Sequence, residues 1–261
     1  MKCLVYMLAL AAMSAQAQVL ETSVITDWET VSYYGSVEET ENAINAAIEY
    51  ADNIFVQQLG IDIEVTYVDI PVSESDDTVA GHNHVVSLIE SLRDYRYENA
   101  DHFAADITLF LSVREFTTGS SQYAGYAYVK SICSANSIAM TRLFNNGLDG
   151  ETLAHEMAHV LGAVHDGDSP CESTNTRGYL MSSAVHTGNS NFSQCSIDTI
   201  KTRLEAYGYC MVEDTTVPVI TPVPTTNTSR GGGGAIDILF LFIMVVITTL
   251  STRTDLNAGR A

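Results

Sequence analysis

The chain has 261 residues, 46% of them hydrophobic, enough for one domain of ordinary size with a buried core and terminal appendages. Twelve Lys and Arg stand against 32 Asp and Glu, a formal charge of −20. A surface this acidic repels phosphate backbones and argues against nucleic acid as a partner; the charge is read as solubility in salty surroundings.

The first residues have the pattern of an export signal: Lys2 in the n-region, an apolar stretch from Leu4 to Met13, and the small-residue site Ala15-Gln16-Ala17. Cutting after Ala17 assigns residues 1–17 to the signal and starts the mature chain at Gln18, secreted or at the cell surface. Of the five cysteines, Cys3 leaves with the signal, and Cys133, Cys171, Cys195 and Cys210 remain. An even number in an exported chain favours two disulfides, and three connectivities are open.

Leu20 to Thr26 is β-prone. From Glu38 to Leu59, Ile44, Ala47, Ile48, Ala51, Ile54 and Phe55 form a helical stripe that Gly60 stops. Ile61, Ile63, Val65 and Tyr67 then alternate with polar residues, the period of a strand. Val85 to Leu92 predicts a second amphipathic helix, Ile107 to Val113 a buried strand, and Gly125 to Ile132 another strand. Strands alternating with helices imply an α/β domain with helices packed on a sheet. After residue 150 the spacing predicts a histidine-bearing helix, an irregular cysteine-containing stretch, and a last helix from Ile197 to Tyr207, capped by Ser196 and ended by Gly208. The domain is expected over 18–213. A Pro/Thr/Gly-rich linker follows over 214–234, and an apolar segment with a short polar tail over 235–261.

The chemistry is concentrated in one run, from His155 to Asp166. His155 and His159, four apart, share one helix face and reach one ion. Glu156 stands beside the first of them, placed to take a proton from water at the metal. A straight helix cannot supply a third ligand here; Gly162 accepts the turn that swings His165 back. Three neutral imidazoles leave a fourth tetrahedral position open, the arrangement of a catalytic zinc site rather than a closed structural one. A buried helix with incidental histidines would account for His155, Glu156 and His159, but not for Gly162 and His165 at these offsets. His82, His84 and His102 are read as solvated or loop residues, and His186 as a neighbour of the site with no demanded role. Trp28 and the tyrosines are read as packing.

The extended motif resembles the metzincins, and His165 followed by Asp166 is similar to the reprolysin (adamalysin, ADAM-type) branch. Astacins usually place Glu there and serralysins Pro. Tyr179-Leu180-Met181-Ser182 resembles that family's Met-turn, with Met181 as the apolar floor beneath zinc. Ser183 stands where astacins and serralysins carry a tyrosine ligand. Gly125 to Cys133 resembles the edge strand that pairs with substrate backbone. Asn191 to Ser196 resembles the approach to the family's last helix. The resemblance covers nearly all of 19–213. It implies a metzincin zincin fold with a twisted, mostly parallel sheet, acting on protein or peptide substrates, and a monomer is the expected state. It also implies zinc on His155, His159 and His165, with Glu156 as general base and then proton donor. The disulfides it implies are Cys133–Cys210 and Cys171–Cys195. It further implies a calcium ion held by Glu21, Asp106, Cys210 and Glu213, although the family usually has an amide in the place of Glu213. The rival function is a catalytically inactive surface adhesion module; such degenerate members typically lose the glutamate or a ligand histidine, and this chain keeps all four.

Ile238 to Leu250 is apolar without a break but spans only roughly 20 Å, short of a ~30 Å hydrocarbon core. Two readings stay open: a membrane anchor that needs local bilayer thinning, and a sorting tail of the glycine-run type found in some exported proteins.

Overall fold

A computed structural model describes residues 18–184 and 188–213. The described residues all belong to one compact unit. The expected signal, the linker, the apolar tail and His186 lie outside the described residues. Among those residues, no helix is long and apolar enough to cross a membrane.

The elements are β1 (Gln18–Ile25), α1 (Trp28–Tyr34), α2 (Val37–Leu59), β2 (Ile61–Asp69), α3 (Val85–Glu98), β3 (Ile107–Ser112), β4 (Phe116–Thr118), β5 (Ser121–Tyr123), β6 (Gly125–Ala127), β7 (Ile138–Arg142), α4 (Asp149–Leu161), α5 (Gln194–Tyr207) and β8 (Val212–Glu213). The main sheet runs β2-β1-β3-β7-β6. The first four strands are mutually parallel, and β6 closes the edge antiparallel to β7. β8 pairs antiparallel with the start of β1, Gln18 opposite Glu213. All six residues of β3 are buried, because helices cover both faces of a parallel sheet. Leu109 and Leu111 face the cluster formed with α2, α4 and α5, and Phe110 faces the cluster formed with α3.

The α2 stripe packs as its spacing requires: Ile44, Ala47, Ile48, Ala51, Ile54 and Phe55 are all buried. Its start is set by Ser36, whose hydroxyl accepts from Glu39 N, and its end by Gly60 at φ 70°. Two expectations need correction. The strand expected over 125–132 stops at Ala127. Lys130 adopts φ 64°, and the N–H groups of Lys130 and Ile132 donate to the carbonyls of His159 and Val160 at 2.8 and 3.1 Å. That segment leaves the sheet because the end of α4 offers carbonyls with no partner inside the helix. The last helix is capped by Ser193 rather than Ser196; the Ser193 hydroxyl accepts from Ser196 N at 3.1 Å.

Candidate metal centre

α4 is buried along almost its whole length, from Gly150 to Leu161. The Asp149 carboxylate holds the chain leading into it, accepting from the N–H groups of Phe144 and Asn145 at 2.7 and 3.2 Å. The helix stops at Gly162, where two independent features require a glycine. Its φ of 120° is strained for any side chain, and an added Cβ would lie 2.7 Å from Cβ of Arg203. Beyond that turn the chain brings His165 back toward His155 and His159.

The three Nε2 atoms form a nearly equilateral triangle. His155 and His159 are 3.1 Å apart, His159 and His165 3.2 Å, and His155 and His165 3.3 Å. Zinc–nitrogen bonds of about 2.0–2.1 Å in a tetrahedron give nitrogen–nitrogen edges of about 3.3 Å, so the triangle is one face of such a site. The other ring nitrogens fix which lone pairs point inward. Nδ1 of His155 donates to the Leu180 carbonyl at 2.7 Å, and Nδ1 of His159 to the Ala163 carbonyl at 2.9 Å. Their Nε2 atoms are therefore bare acceptors facing one another, an arrangement that repels itself without a cation between. Burial lowers the pKa of His155 to about 3 and that of His159 to about 4, so both are neutral ligands at ordinary pH. His165 is more open, with Nδ1 3.7 Å from the Asp168 carboxylate. Among the described residues these three are the one convergent group of His, Cys, Asp or Glu side chains able to hold a metal.

The Met-turn segment is fastened to this centre at two points. Leu180 supplies the carbonyl for His155, and the Met181 carbonyl accepts from Asp166 N at 2.8 Å. Met181 itself is fully buried in the core cluster that includes Met157 and Ala158. Asp166 is buried too, and its carboxylate accepts from the hydroxyls of Ser193 and Ser196 at 2.6 and 3.4 Å, tying the segment after His165 to the start of α5. Cys171 is bonded to Cys195 and Cys133 to Cys210. The first bridge ties the same segment to α5 again; the second joins the segment after β6 to the chain beyond α5.

Glu156 is buried beside the histidines, and burial raises its pKa to about 8. A cavity of about 830 Å³ adjoins it, lined by Gln122, Tyr123, β6 and Val129, by His155, Glu156 and His159, and by Val164, His165, Asp168, Ser169, Ser183 and Ala184.

The residues expected to hold calcium lie apart from this centre. Glu21 N donates to the Asp106 carboxylate at 3.0 Å, and burial raises the pKa of Asp106 to about 6. Glu213 reaches β1 through its backbone in β8, three residues after Cys210, and its side chain is outside what the structure describes. His102 stacks on Tyr67 with ring centroids 4.9 Å apart. Sequence reasoning passed over the Leu180 and Ala163 carbonyls, for which no residue type is a signal. It also passed over the packing of Gly125 against Glu156, for which a glycine inside a strand is a recognised sign of close approach.

A centre of three histidines on a helix and its return turn, under the antiparallel edge of a mostly parallel sheet, defines a metzincin-type α/β zincin. Residues 18–214 match the family described as Reprolysin (M12B) family zinc metalloprotease, and the chain belongs to that family. It is 27% identical over 207 residues to A disintegrin and metalloproteinase with thrombospondin motifs 1 of Bombyx mori, covering 76% of this chain and 20% of that protein. It is 25% identical over 174 residues to A disintegrin and metalloproteinase with thrombospondin motifs 19 of Mus musculus, covering 58% of this chain and 14% of that one. The matched regions thus span a fifth or less of the length of either relative. A solved structure described as a chaperone-substrate complex shares the fold at TM-score 0.55 and 12% identity, over 77% of this chain and 40% of that one.

Proposed function

We propose that the chain is a secreted or surface-presented zinc metalloendopeptidase, with His155, His159 and His165 as metal ligands and Glu156 as general base. The observation that carries this reading is the triangle of Nε2 atoms at 3.1–3.3 Å with the Glu156 carboxylate in the same cavity. Zinc, when bound, supplies a Lewis acid that polarises the scissile carbonyl and makes water a nucleophile near neutral pH. The Leu180 and Ala163 carbonyls keep His155 and His159 in the tautomer that offers Nε2. An extended peptide lies along the free edge of β6 and pairs its backbone with the strand. The Glu156 carboxylate takes a proton from the attacking water and returns it to the amine of the departing peptide, so one water is added across one amide bond.

The same reading includes a domain over 18–213, export through residues 1–17, and a monomer acting on protein or peptide substrates. It also includes attachment or processing at the apolar segment, and a structural calcium ion on Glu21, Asp106, Cys210 and Glu213. The direct test is hydrolysis of casein or a generic quenched peptide by the purified chain. Activity that a chelator abolishes and added zinc restores is the expected result. A folded, zinc-loaded chain that cleaves neither substrate contradicts the proposal.

A further inference from the structure

We infer that Gly125 is a positioning residue for proton transfer: the space left by its missing side chain is the seat against which the Glu156 carboxylate is held. The inference rests on the reading of Glu156 as the general base. A Cβ added at position 125 would meet Cγ of Glu156 first and would lie 2.6 Å from its Oε1 and 2.7 Å from its Cδ, well inside van der Waals contact. Gly125 sits in β6 opposite Thr141 of β7, and its backbone is not in the left-handed region. The glycine is therefore needed for room and not for conformational freedom. Nearby polar groups are held by hydrogen bonds: His155 and His159 by backbone carbonyls, and Glu151, one turn earlier on α4, by the Tyr50 hydroxyl at 2.9 Å. Glu156 is different. Among the described residues its carboxylate has no hydrogen bond that fixes it.

A base held by packing against a backbone wall keeps both carboxylate oxygens free for the attacking water. The contact also joins two parts of the site. The strand that lines the cleft, where substrate backbone is proposed to lie, is the wall behind the base. A methyl group on residue 125 must move the carboxylate by about 1 Å, a displacement that costs on the order of 100-fold in rate.

The test uses the full chain and three variants: Gly125→Ala, Glu156→Ala and the double variant Gly125→Ala/Glu156→Ala. Gly125→Ala is expected to lower kcat about 100-fold, with KM within about threefold of the parent and one zinc still bound per chain. Glu156→Ala removes Cγ, Cδ and Oε1, the atoms that the added methyl would meet. Gly125→Ala is therefore expected to lower the denaturation midpoint of the parent but to leave that of Glu156→Ala unchanged. Near-normal kcat in Gly125→Ala overturns the inference, as does a loss carried by zinc release or by KM alone, or an equal fall of the midpoint in both backgrounds. Should Gly125→Ala not fold, the double variant must fold, since it removes the clash; its failure to fold also overturns the inference. The underlying reading fails separately, through a parent chain with no zinc-dependent hydrolysis.

Discussion

From β1 to the end of α4, regular structure satisfies the backbone, and the sheet and its helices enclose two apolar clusters. Among the described residues from Gly162 onward, only α5 and the two residues of β8 are regular. There the chain is held by individual ties: Asp166 to Ser193 and Ser196, Cys171 to Cys195, and Gln58, which donates to the Ser190 carbonyl and accepts from Phe192 N, each at 2.7 Å. Both regions meet at the histidine triangle, His155 and His159 coming from the first and His165 from the second. The contrast teaches that stability and site geometry are carried by different residues. Damage to the first region should unfold the domain, and damage to the second should spoil the site while much of the frame stands.

Phe55→Ala tests the first half of that contrast. Phe55 is fully buried and packs edge-on to Phe192 at 5.9 Å. Its truncation should destabilise by about 3–5 kcal/mol, read as a shift of the denaturation midpoint. Chelator competition at low temperature should still show normal zinc affinity in the folded fraction.

Cys171→Ser/Cys195→Ser tests the second half. The bridge closes a segment with a sequence separation of 24, so its loss should cost about 3 kcal/mol by the chain-entropy estimate. The loop after His165 should become sensitive to limited proteolysis, and zinc affinity should fall by more than in Phe55→Ala. The reverse order of the two zinc affinities would break the division of labour.

Asp166→Ala sharpens it at a single side chain. It leaves two buried serine hydroxyls without their acceptor and should cost roughly 2 kcal/mol. Asp166→Asn keeps one oxygen for them and should cost less than half as much. At the small end stands Tyr95→Phe, which removes a hydrogen bond at 2.8 Å to Asp69 in a half-buried setting of the frame. A loss of about 1 kcal/mol or less with unchanged activity is expected.

How far each region could be read from sequence follows the same division. In the frame, periodicity carried α2 and α3, whose buried residues recur at helical spacing. It did not reveal β7, Ile138–Arg142, because a short strand buried on both sides shows no alternation. Nor did it reveal α1, which has only seven residues and is started by the Asp27 cap. β6 was expected to be too long because Tyr128 to Ile132 is as apolar as a strand, while the carbonyls of α4 that draw it away are a tertiary effect. In the second region the last helix was legible, but the irregular stretch between Gly162 and α5 has no period to read. His155, His159, Gly162 and His165 were legible because helix geometry and one glycine turn fix their offsets. Ser193 and Ser196, three apart, are equal cap candidates by residue type, and the Ser193 hydroxyl takes the cap by accepting from Ser196 N.

The central claim is that Glu156 moves the proton while the histidines alone hold the metal, and Glu156→Gln tests it most directly. The amide fills the same space and leaves the three Nε2 atoms in place, but it cannot take a proton from water. Zinc content and peptide hydrolysis should be measured on the same preparation. The account predicts one zinc per chain with kcat lowered at least about 1,000-fold. One zinc per chain with near-normal hydrolysis would contradict it.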